Sequence, residues 1–217
     1  MLLLAHRGYH HAAPENSLAA FDAAVEMGVD GIEADVRLSR DKQAVLIHDR
    51  VLGDDRQVAQ LTRREIDQVL GHPVATLAEA LERFDNILWN IEIKTADVFP
   101  AVVEILRRYL QSRRLLVTSF RHELVARCAE LLNVQCGLLV AHHPVRLREL
   151  LNGHSGRPNI RSIVWDYNII DEEMLHDTAA AGWSSFAYGA VTRFEHRHCA
   201  GLDLAGLITD FPQYLKK

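Results

Sequence analysis

Two acidic side chains share one face of the alternating segment IEADV, residues 32–36. Successive side chains of a β-strand point to opposite faces, so a strand here places Glu33 and Asp35 side by side. Adjacent carboxylates repel each other unless a cation lies between them. His48-Asp49 follows a second apolar run at 44–47. Carboxylates with a nearby imidazole form a metal-assisted hydrolytic site, although a half-exposed strand with its polar face in water explains the alternation of 32–36 equally well.

The alternation returns at 88–94, LWNIEIK, where Glu92 and Lys94 share one face. Three acids from two strands against one lysine leave an excess of negative charge if these side chains are buried. Burying unpaired carboxylates is costly, and a divalent cation resolves the cost. Ligands that are all oxygen suit Mg²⁺ or Ca²⁺ better than Zn²⁺. The alternative interpretation is an internal ion-pair network between Lys94 and the acids.

Short elements must position these side chains. The apolar run at 1–5 predicts a buried strand that ends in His6-Arg7-Gly8, where glycine permits a sharp turn. Asn16 or Ser17 then caps a helix that continues to Gly28. The strand at 31–37 follows, so the first 37 residues predict a strand-helix-strand unit and a parallel sheet.

The same rhythm continues to the end of the chain. Further strands are predicted at 88–94, 115–119, 136–140, 162–165, 184–187 and 207–209. Helices are predicted at 62–70, 76–84, 98–110, 122–132, 145–151, 171–181, 192–200 and 212–215. The polar stretch 50–73 interrupts the alternation as a short insertion after the second strand. We therefore predict an α/β fold, a (β/α)₈ TIM barrel in a single domain over 1–217. An open doubly wound sheet is the alternative, but no glycine-rich dinucleotide motif follows the first strand.

In a barrel, the apolar partners of the acids face the helices. Glu33, Asp35, Glu92 and Lys94 then point inward or towards the carboxyl-terminal mouth, where barrel enzymes bind their substrates. The predicted fold and the predicted chemistry therefore require the same side-chain orientation.

Six motifs, in this order, carry a resemblance to a known family. They are HRG at 6–8, PENS with AF at 14–21, GVD with IEADV at 28–36, HD at 48–49, NIEIK at 90–94 and ITDFP at 208–212. Each is short, but their order and spacing together resemble the glycerophosphodiester phosphodiesterase family in its short, bacterial single-domain form. That family has a (β/α)₈ barrel and hydrolyses glycerophosphodiesters to an alcohol and sn-glycerol 3-phosphate with a divalent metal, usually Mg²⁺ or Ca²⁺.

The resemblance implies roles for individual residues. Glu33, Asp35 and Glu92 would ligate the metal. His6 and His48 would be the acid/base pair, since imidazole titrates near working pH. Arg7 and Lys94 would bind phosphate. The alternatives that stay open are a lysophospholipase D-like or other phosphodiesterase activity and, with less support, a barrel that binds a phosphorylated ligand without turnover.

Two segments depart from the family pattern. Residues 51–56 lack a threonine pair that the family usually has after His-Asp, and 186–190 replace a Trp-Thr-Val-Asn stretch. Both would help to line the pocket and so affect the choice of alcohol. Trp165 or Tyr188 could supply the missing aromatic wall, but a core or surface position is the favoured interpretation for both.

Several other polar residues are interpreted as structural. The pairs His10-His11, His142-His143 and His196-x-His198 have no acidic or cysteine partner at ligand spacing, so solvated loop positions are expected. Asp210 is expected to cap the last helix.

Composition narrows the class of protein. The net charge of −5 gives no sign of a nucleic-acid partner. The family resemblance implies a small-molecule glycerophosphodiester as the substrate. Three cysteines without a CxxC pair fit neither a disulfide framework nor a zinc site. The apolar start MLLLAHRG is too short for a signal peptide or a membrane span. A cytoplasmic enzyme is therefore expected.

Overall fold

The barrel is built from parallel strands, and the computed structural model describes residues 1–53, 55–154 and 156–216. Within these residues the strands are β1 (Leu2–His6), β2 (Gly31–Leu38), β3 (Ala44–Leu46), β4 (Leu88–Ile93), β5 (Arg114–Ser119), β6 (Gln135–Val140), β7 (Ile160–Asp166), β8 (Ser184–Tyr188) and β9 (Gly206–Thr209). Neighbours follow the order β1-β9-β8-β7-β6-β5-β4-β2, and pairing of β1 with β2 closes the ring. The eight parallel strands form a (β/α)₈ barrel, as predicted, whereas β3 pairs antiparallel with β2 outside it.

Helices follow the barrel strands. They are α1 (Leu18–Glu26), α2 (Arg63–Leu70), α3 (Leu77–Arg83), α4 (Phe99–Tyr109), α5 (His122–Leu131), α6 (Leu147–Asn152), α7 (Glu172–Ala180) and α8 (Arg193–Gly201). Ser17 caps α1, since its hydroxyl accepts from the Ala20 amide. Thr62 and Thr76 begin α2 and α3 with capping boxes, which explains why their sequence signals were clear. The final helix is a short 3₁₀ turn, Pro212–Tyr214.

The insertion after β2 has a small core of its own. It contains β3, a 3₁₀ turn at Val58–Gln60 and α2. Its buried apolar residues pack on one another, and they are Val45, Ile47, Leu52, Val58, Leu61, Ile66 and Val74. This core fixes the segment that ends β3, from which His48 projects.

Two apolar clusters fill the space between strands and helices and the lower interior of the barrel. Ile32, Ala34 and Val36 of β2 belong to the large cluster between strands and helices. The lower interior is filled by a second cluster, Leu4, Leu116, Leu139, Val164, Phe186 and Ile208. Gly31 is required here because a Cβ atom at this position would lie 2.5 Å from the Leu88 carbonyl oxygen. Side chains that alternate inward above this layer line the carboxyl-terminal mouth.

Candidate active site

Three carboxylates converge on adjacent strands at the mouth. Glu33 and Asp35 come from β2, and Glu92 comes from β4, where it is the register partner of Asp35. One oxygen from each lies within 4.8 Å of the others. All three side chains are buried, and Asp35 is completely so. The structure thus brings together the three acids that the alternating patterns predicted on one face.

Burial and mutual repulsion perturb this cluster. Burial, followed by the charges of Asp35 and Glu92, raises the pKa of Glu33 well above its usual range. Burial also raises the pKa of Glu92. Burial would raise the pKa of Asp35 too, but the charges of Lys94 and Arg7 and a hydrogen bond from Asn16 lower it overall.

The donor set fits a hard divalent cation. Glu33 Oε1 is buried and has no hydrogen-bond partner within the described residues. A buried carboxylate oxygen without a partner is costly, and a cation would satisfy it. Carboxylate oxygens are the ligands that Mg²⁺ and Ca²⁺ prefer. Glu33, Asp35 and Glu92 are therefore the residues suited to hold a metal.

Two cations flank the acids. Lys94 Nζ lies 2.8 Å from Asp35 Oδ1 and 2.7 Å from Glu92 Oε1. Burial alone would lower the pKa of Lys94, but these carboxylates raise it overall. Arg7 Nε lies 3.2 Å from Asp35 Oδ2, and its Nη1 donates to Glu15 at 2.9 Å. The ion-pair network around Lys94 therefore exists, although it leaves Glu33 outside.

Arg7 occupies a strained backbone conformation. Its φ is 57°, in the left-handed region that favours glycine. The next residue, Gly8, has φ 79°, and a Cβ atom there would lie 2.8 Å from the backbone of Ala20. The turn after β1 directs Arg7 back towards the acids, as the glycine at this strand end predicted. Strain of this kind persists where the surrounding structure fixes it.

His6 stands between two acids. Its Nδ1 lies 2.6 Å from Asp210 Oδ1, and its Nε2 lies 3.8 Å from Glu33 Oε2. The same Asp210 oxygen lies 2.9 Å from His10 Nε2. Burial would raise the pKa of Asp210, but hydrogen bonds and charge from the two histidines lower it well below its usual range.

These contacts correct two sequence expectations. Asp210 does not cap the last 3₁₀ helix, where Phe211 is the N-cap residue without a side-chain bond. His10 is not a solvated loop residue, because its ring is bonded to Asp210. In the turn after β9 the Asp210 carboxylate bonds to two imidazoles instead of to backbone amides.

His48 reaches the site from the insertion. Its Nδ1 lies 2.8 Å from Asp49 Oδ1, and its carbonyl accepts a hydrogen bond from Arg37 Nε at 2.8 Å. His6 and His48 thus each have an aspartate oxygen beside Nδ1. Asp49 is far more exposed than Asp210, so the two partners differ in environment.

One cavity is lined by both histidines, both cations and two of the three acids. Its volume is about 200 Å³, and its lining residues are His6, Arg7, Glu33, His48, Asn90, Glu92, Lys94, Thr118, Phe120, Leu139, Tyr188 and Ile208. Asn90 accepts from the Thr118 hydroxyl, and its buried Nδ2 has no partner among the described residues. An unpaired donor in an acid-lined cavity is suited to a substrate oxygen.

Two aromatic residues line the same cavity as the acids. The rings of Phe120 and Tyr188 meet edge to face, with centroids 6.1 Å apart. Burial and the neighbouring Asp166 carboxylate raise the pKa of Tyr188, so its phenol stays a donor. Tyr188 is thus a pocket residue, contrary to the favoured sequence interpretation, whereas Trp165 is a core residue.

The other altered segment lies beside the main cavity. Leu52 and Gly53 line a neighbouring cavity together with Glu15, Asn16 and Asp49. Asp54 of this segment is outside the described residues. The described residues of 51–56 therefore affect the surroundings of Glu15 and Asp49 and do not line the main cavity.

Sequence reasoning missed several residues of the site. Asn16 donates to Asp35 Oδ2 at 2.9 Å and accepts from the Asp35 amide at 3.1 Å. Its place beside a helix start suggested a cap, and in the structure its φ of 55° lies in the left-handed region. Asn90 carried a signal, because it shares the inward face with Glu92. Phe120 carried none beyond its position directly after a strand.

The remaining histidines divide into two groups. His142 and His143 are exposed, as expected. His196 is completely buried in α8, contrary to the prediction of a solvated histidine. Its two ring nitrogens contact the Thr192 carbonyl and the Thr209 hydroxyl, which compensates for the burial.

Comparison with known proteins identifies the family of this chain. The model of the glycerophosphoryl diester phosphodiesterase family matches residues 6–214. The chain belongs to this family. It is an enzyme, a phosphoric diester hydrolase, and the resemblance inferred from the motifs is confirmed.

Relatives of this phosphodiesterase cover its whole length. A glycerophosphodiester phosphodiesterase of Caldanaerobacter subterraneus subsp. tengcongensis is 29% identical, over 99% of this chain and 96% of that protein. The crystal structure of the Thermotoga maritima glycerophosphodiester phosphodiesterase has a TM-score of 0.87 and 26% identity, over 99% and 96% of the two chains. An Oleispira antarctica phosphodiesterase in complex with sn-glycerol-3-phosphate has a TM-score of 0.87 and 24% identity, over 98% and 94%.

The helices of this phosphodiesterase are short. Across residues 1–53, 55–154 and 156–216, none has both the length and the apolar character to cross a bilayer.

Proposed function

We propose that this phosphodiesterase hydrolyses glycerophosphodiesters, such as glycerophosphocholine and glycerophosphoethanolamine, to an alcohol and sn-glycerol 3-phosphate. One observation carries the proposal: two buried glutamates and two imidazoles line a single cavity, and a carboxylate oxygen of the buried Asp35 lies within 4.8 Å of both glutamates. The product bound by the Oleispira antarctica relative supports the choice of substrate class.

Glu33, Asp35 and Glu92 hold a divalent metal in this proposal, either Mg²⁺ or Ca²⁺. When bound, such an ion neutralises phosphate charge and lowers the pKa of a ligated hydroxyl or water. The buried Glu33 Oε1, which has no hydrogen-bond partner among the residues that the structure describes, supports the assignment. Arg7 and Lys94 bind the phosphate oxygens, because both cations line the same cavity.

His6 and His48 form the acid/base pair. One imidazole accepts the proton of the nucleophile as its oxygen bonds to phosphorus. The other donates a proton to the alcohol oxygen as the phosphorus–oxygen bond to that alcohol breaks. The aspartate on each Nδ1 keeps the proton there and leaves Nε2 to act.

Two nucleophiles satisfy this scheme, a water molecule and the free glycerol hydroxyl of the substrate. The hydroxyl route forms a cyclic phosphate that water then opens. Phosphorus NMR during turnover distinguishes them, because only the second route gives a transient cyclic phosphate signal.

The decisive experiment measures sn-glycerol 3-phosphate release from a panel of diesters, with Mg²⁺ and Ca²⁺ supplied in turn. We expect turnover of at least one water-soluble glycerophosphodiester, loss of turnover in EDTA, and recovery when the metal is restored. Turnover that is indifferent to the chelator would remove the metal assignment. Binding of the diesters without release of product would favour a ligand-binding barrel.

A second candidate substrate is a lysophospholipid. Phe120 lines the cavity and is also 46% exposed at its mouth, so an apolar path leads outward from the site. An acyl chain on the glycerol would lie along this path. Comparing kcat/KM for glycerophosphocholine and its monoacyl form, in wild type and in Phe120→Ser, separates the candidates: only the acylated substrate should lose about tenfold if a few methylenes are buried there.

A further inference from the structure

His196 is a buried histidine that the proposed reaction does not use. It lies in the second turn of α8 and is 0% exposed. Buried polar groups of this kind are retained where each atom is satisfied. One of its partners, Thr209, is the last residue of β9, at the base of the turn that follows this strand.

The hydrogen bonds fix the tautomer of the ring. Nδ1 lies 2.7 Å from the carbonyl oxygen of Thr192. A carbonyl only accepts, so Nδ1 carries the proton and donates. Nε2 of the uncharged ring then has a lone pair, and the Thr209 hydroxyl at 2.6 Å donates to it.

The Thr209 hydroxyl is used twice. It donates to His196 and accepts a hydrogen bond from the Phe211 amide at 2.9 Å. Asp210 is the residue between Thr209 and Phe211. The backbone on both sides of Asp210 is therefore held by one hydroxyl group, whose direction is set by His196.

Ring packing holds the same turn from the other side. The His196 ring lies edge-on to Tyr214, with centroids 5.1 Å apart at 81°. Tyr214 stacks on Phe211 at 5.2 Å and 7°. Phe211 also lies 6.3 Å from His196, so the three rings form a compact unit after Asp210.

This series of contacts ends at His6, which is the proposed acid or base. Asp210 Oδ1 lies 2.6 Å from His6 Nδ1. A short bond of this kind depends on the position of the carboxylate, and misplacement of a catalytic group by about 1 Å can cost about 100-fold in rate.

We propose that His196 is a positioning residue for His6, which it serves by holding the Thr209 hydroxyl and thereby the turn that carries Asp210. The inference rests on the proposed role of His6 in the reaction. It adds a role for His196, a residue of α8 that does not line the cavity.

The test is a double-mutant cycle in the full chain, read as kcat and KM for sn-glycerol 3-phosphate release. His196→Phe keeps a ring of similar size but removes both hydrogen bonds, and Thr209→Val removes only the hydroxyl. We expect each to lower kcat about tenfold with KM changed less than about twofold. Thr209→Ser should restore kcat, since it keeps the hydroxyl.

Coupling to Asp210 separates positioning from simple destabilisation. In an Asp210→Asn background, His196→Phe should lower kcat less than about twofold further, because residues that act through one another are not additive. Cys199→Ala, buried in the same helix, is the matched control and should leave kcat unchanged. A kcat for His196→Phe that is unchanged, or that falls equally in both backgrounds, would overturn the proposal.

A second measurement is independent of turnover. Proton NMR of the nitrogen-15-labelled protein should show a strongly deshielded signal for the proton on His6 Nδ1. This signal should be lost in Asp210→Asn and less deshielded in Thr209→Val. Thr209→Val carries the test if His196→Phe does not fold. If His6→Ala retains activity, the proposed role of His6 fails; if the NMR signal is the same in Thr209→Val and wild type, the positioning proposal fails.

Discussion

His6 Nδ1 lies 2.6 Å from Asp210 Oδ1, although the two residues are 204 positions apart in the chain. The contact exists because the first and last strands of the barrel are neighbours, with Ala5 in register with Thr209. Closing the barrel therefore completes the site as well as the fold. The same closure pairs His6 with Glu33 across β1 and β2.

Replacing either histidine of the proposed acid/base pair should abolish turnover without unfolding the protein. We expect His6→Ala and His48→Ala each to lower kcat by about 100- to 10,000-fold, the usual contribution of general acid–base catalysis. Both side chains are partly exposed, so both variants should stay folded. The free energy of unfolding should change by less than about 1 kcal/mol for His48→Ala and by more for His6→Ala, which loses its bond to Asp210. His142→Ala, in an exposed loop at the same mouth, is the control. Wild-type kcat in either active-site variant would refute that residue's role.

Glu33→Gln should stabilise the protein in EDTA. The pKa of Glu33 is raised above its ordinary 4.5 in the folded state, chiefly by burial. The folded state therefore binds more protons than the unfolded state above that pH, and the free energy of unfolding falls as pH rises towards the folded value. Glu33→Gln lacks this penalty. Its free energy of unfolding should therefore exceed that of the wild type by an amount that grows as pH rises above 5 and reaches about 1 kcal/mol or more.

Urea unfolding at several pH values measures this advantage. Added Mg²⁺ or Ca²⁺ should stabilise the wild type and have much less effect on Glu33→Gln, because one ligand is missing. Glu104→Gln, an exposed change of the same kind, should behave as wild type. If Glu33→Gln is less stable than wild type in EDTA at every pH, the ionised Glu33 carboxylate is compensated by its neighbours and the prediction is wrong.

Lys94→Met should destabilise the protein strongly. Lys94 Nζ contacts Asp35 and Glu92, which are both buried. Removing one partner of a buried ion pair leaves an uncompensated charge and costs about 3 kcal/mol or more. Urea unfolding in EDTA measures the loss, with the exposed Lys42→Met as the control. A loss no larger than that of the control would mean that the remaining residues neutralise the acids without Lys94.

Asp210→Asn should destabilise the protein in a pH-dependent way. The pKa of Asp210 is lowered in the folded state, because hydrogen bonds and charge from His6 and His10 outweigh the effect of burial. The ionised carboxylate therefore stabilises the fold above its ordinary pKa of 3.8 and loses this effect as pH falls towards the folded value.

The expected result is a larger loss of unfolding free energy at pH 6 than at pH 3. Chemical denaturation at the two pH values measures it, and Asp203→Asn at an exposed position is the control. An equal loss at both pH values would contradict the sign and point to packing rather than charge.

The sequence by itself determined the architecture and the acidic centre. Strand and helix rhythm is local, and capping residues such as Thr62 and Thr76 mark helix starts within a few positions. The period-two alternation at Glu33, Asp35 and Glu92 is local too, because strand geometry alone puts alternate side chains on one face. The inward orientation of these acids was therefore predictable before any contact was known.

Only the tertiary structure decided the partners of the histidines and the pocket wall. Asp210, His10 and His196 carry no local periodicity that distinguishes them from caps and solvated loops. Their partners lie on other elements, such as His6 of β1 and Thr209 of β9. Tyr188 faces Phe120 from a strand three places away around the barrel. Contacts of this kind depend on how the barrel closes, which is set by the packing of all its strands together rather than by the residues next to each position.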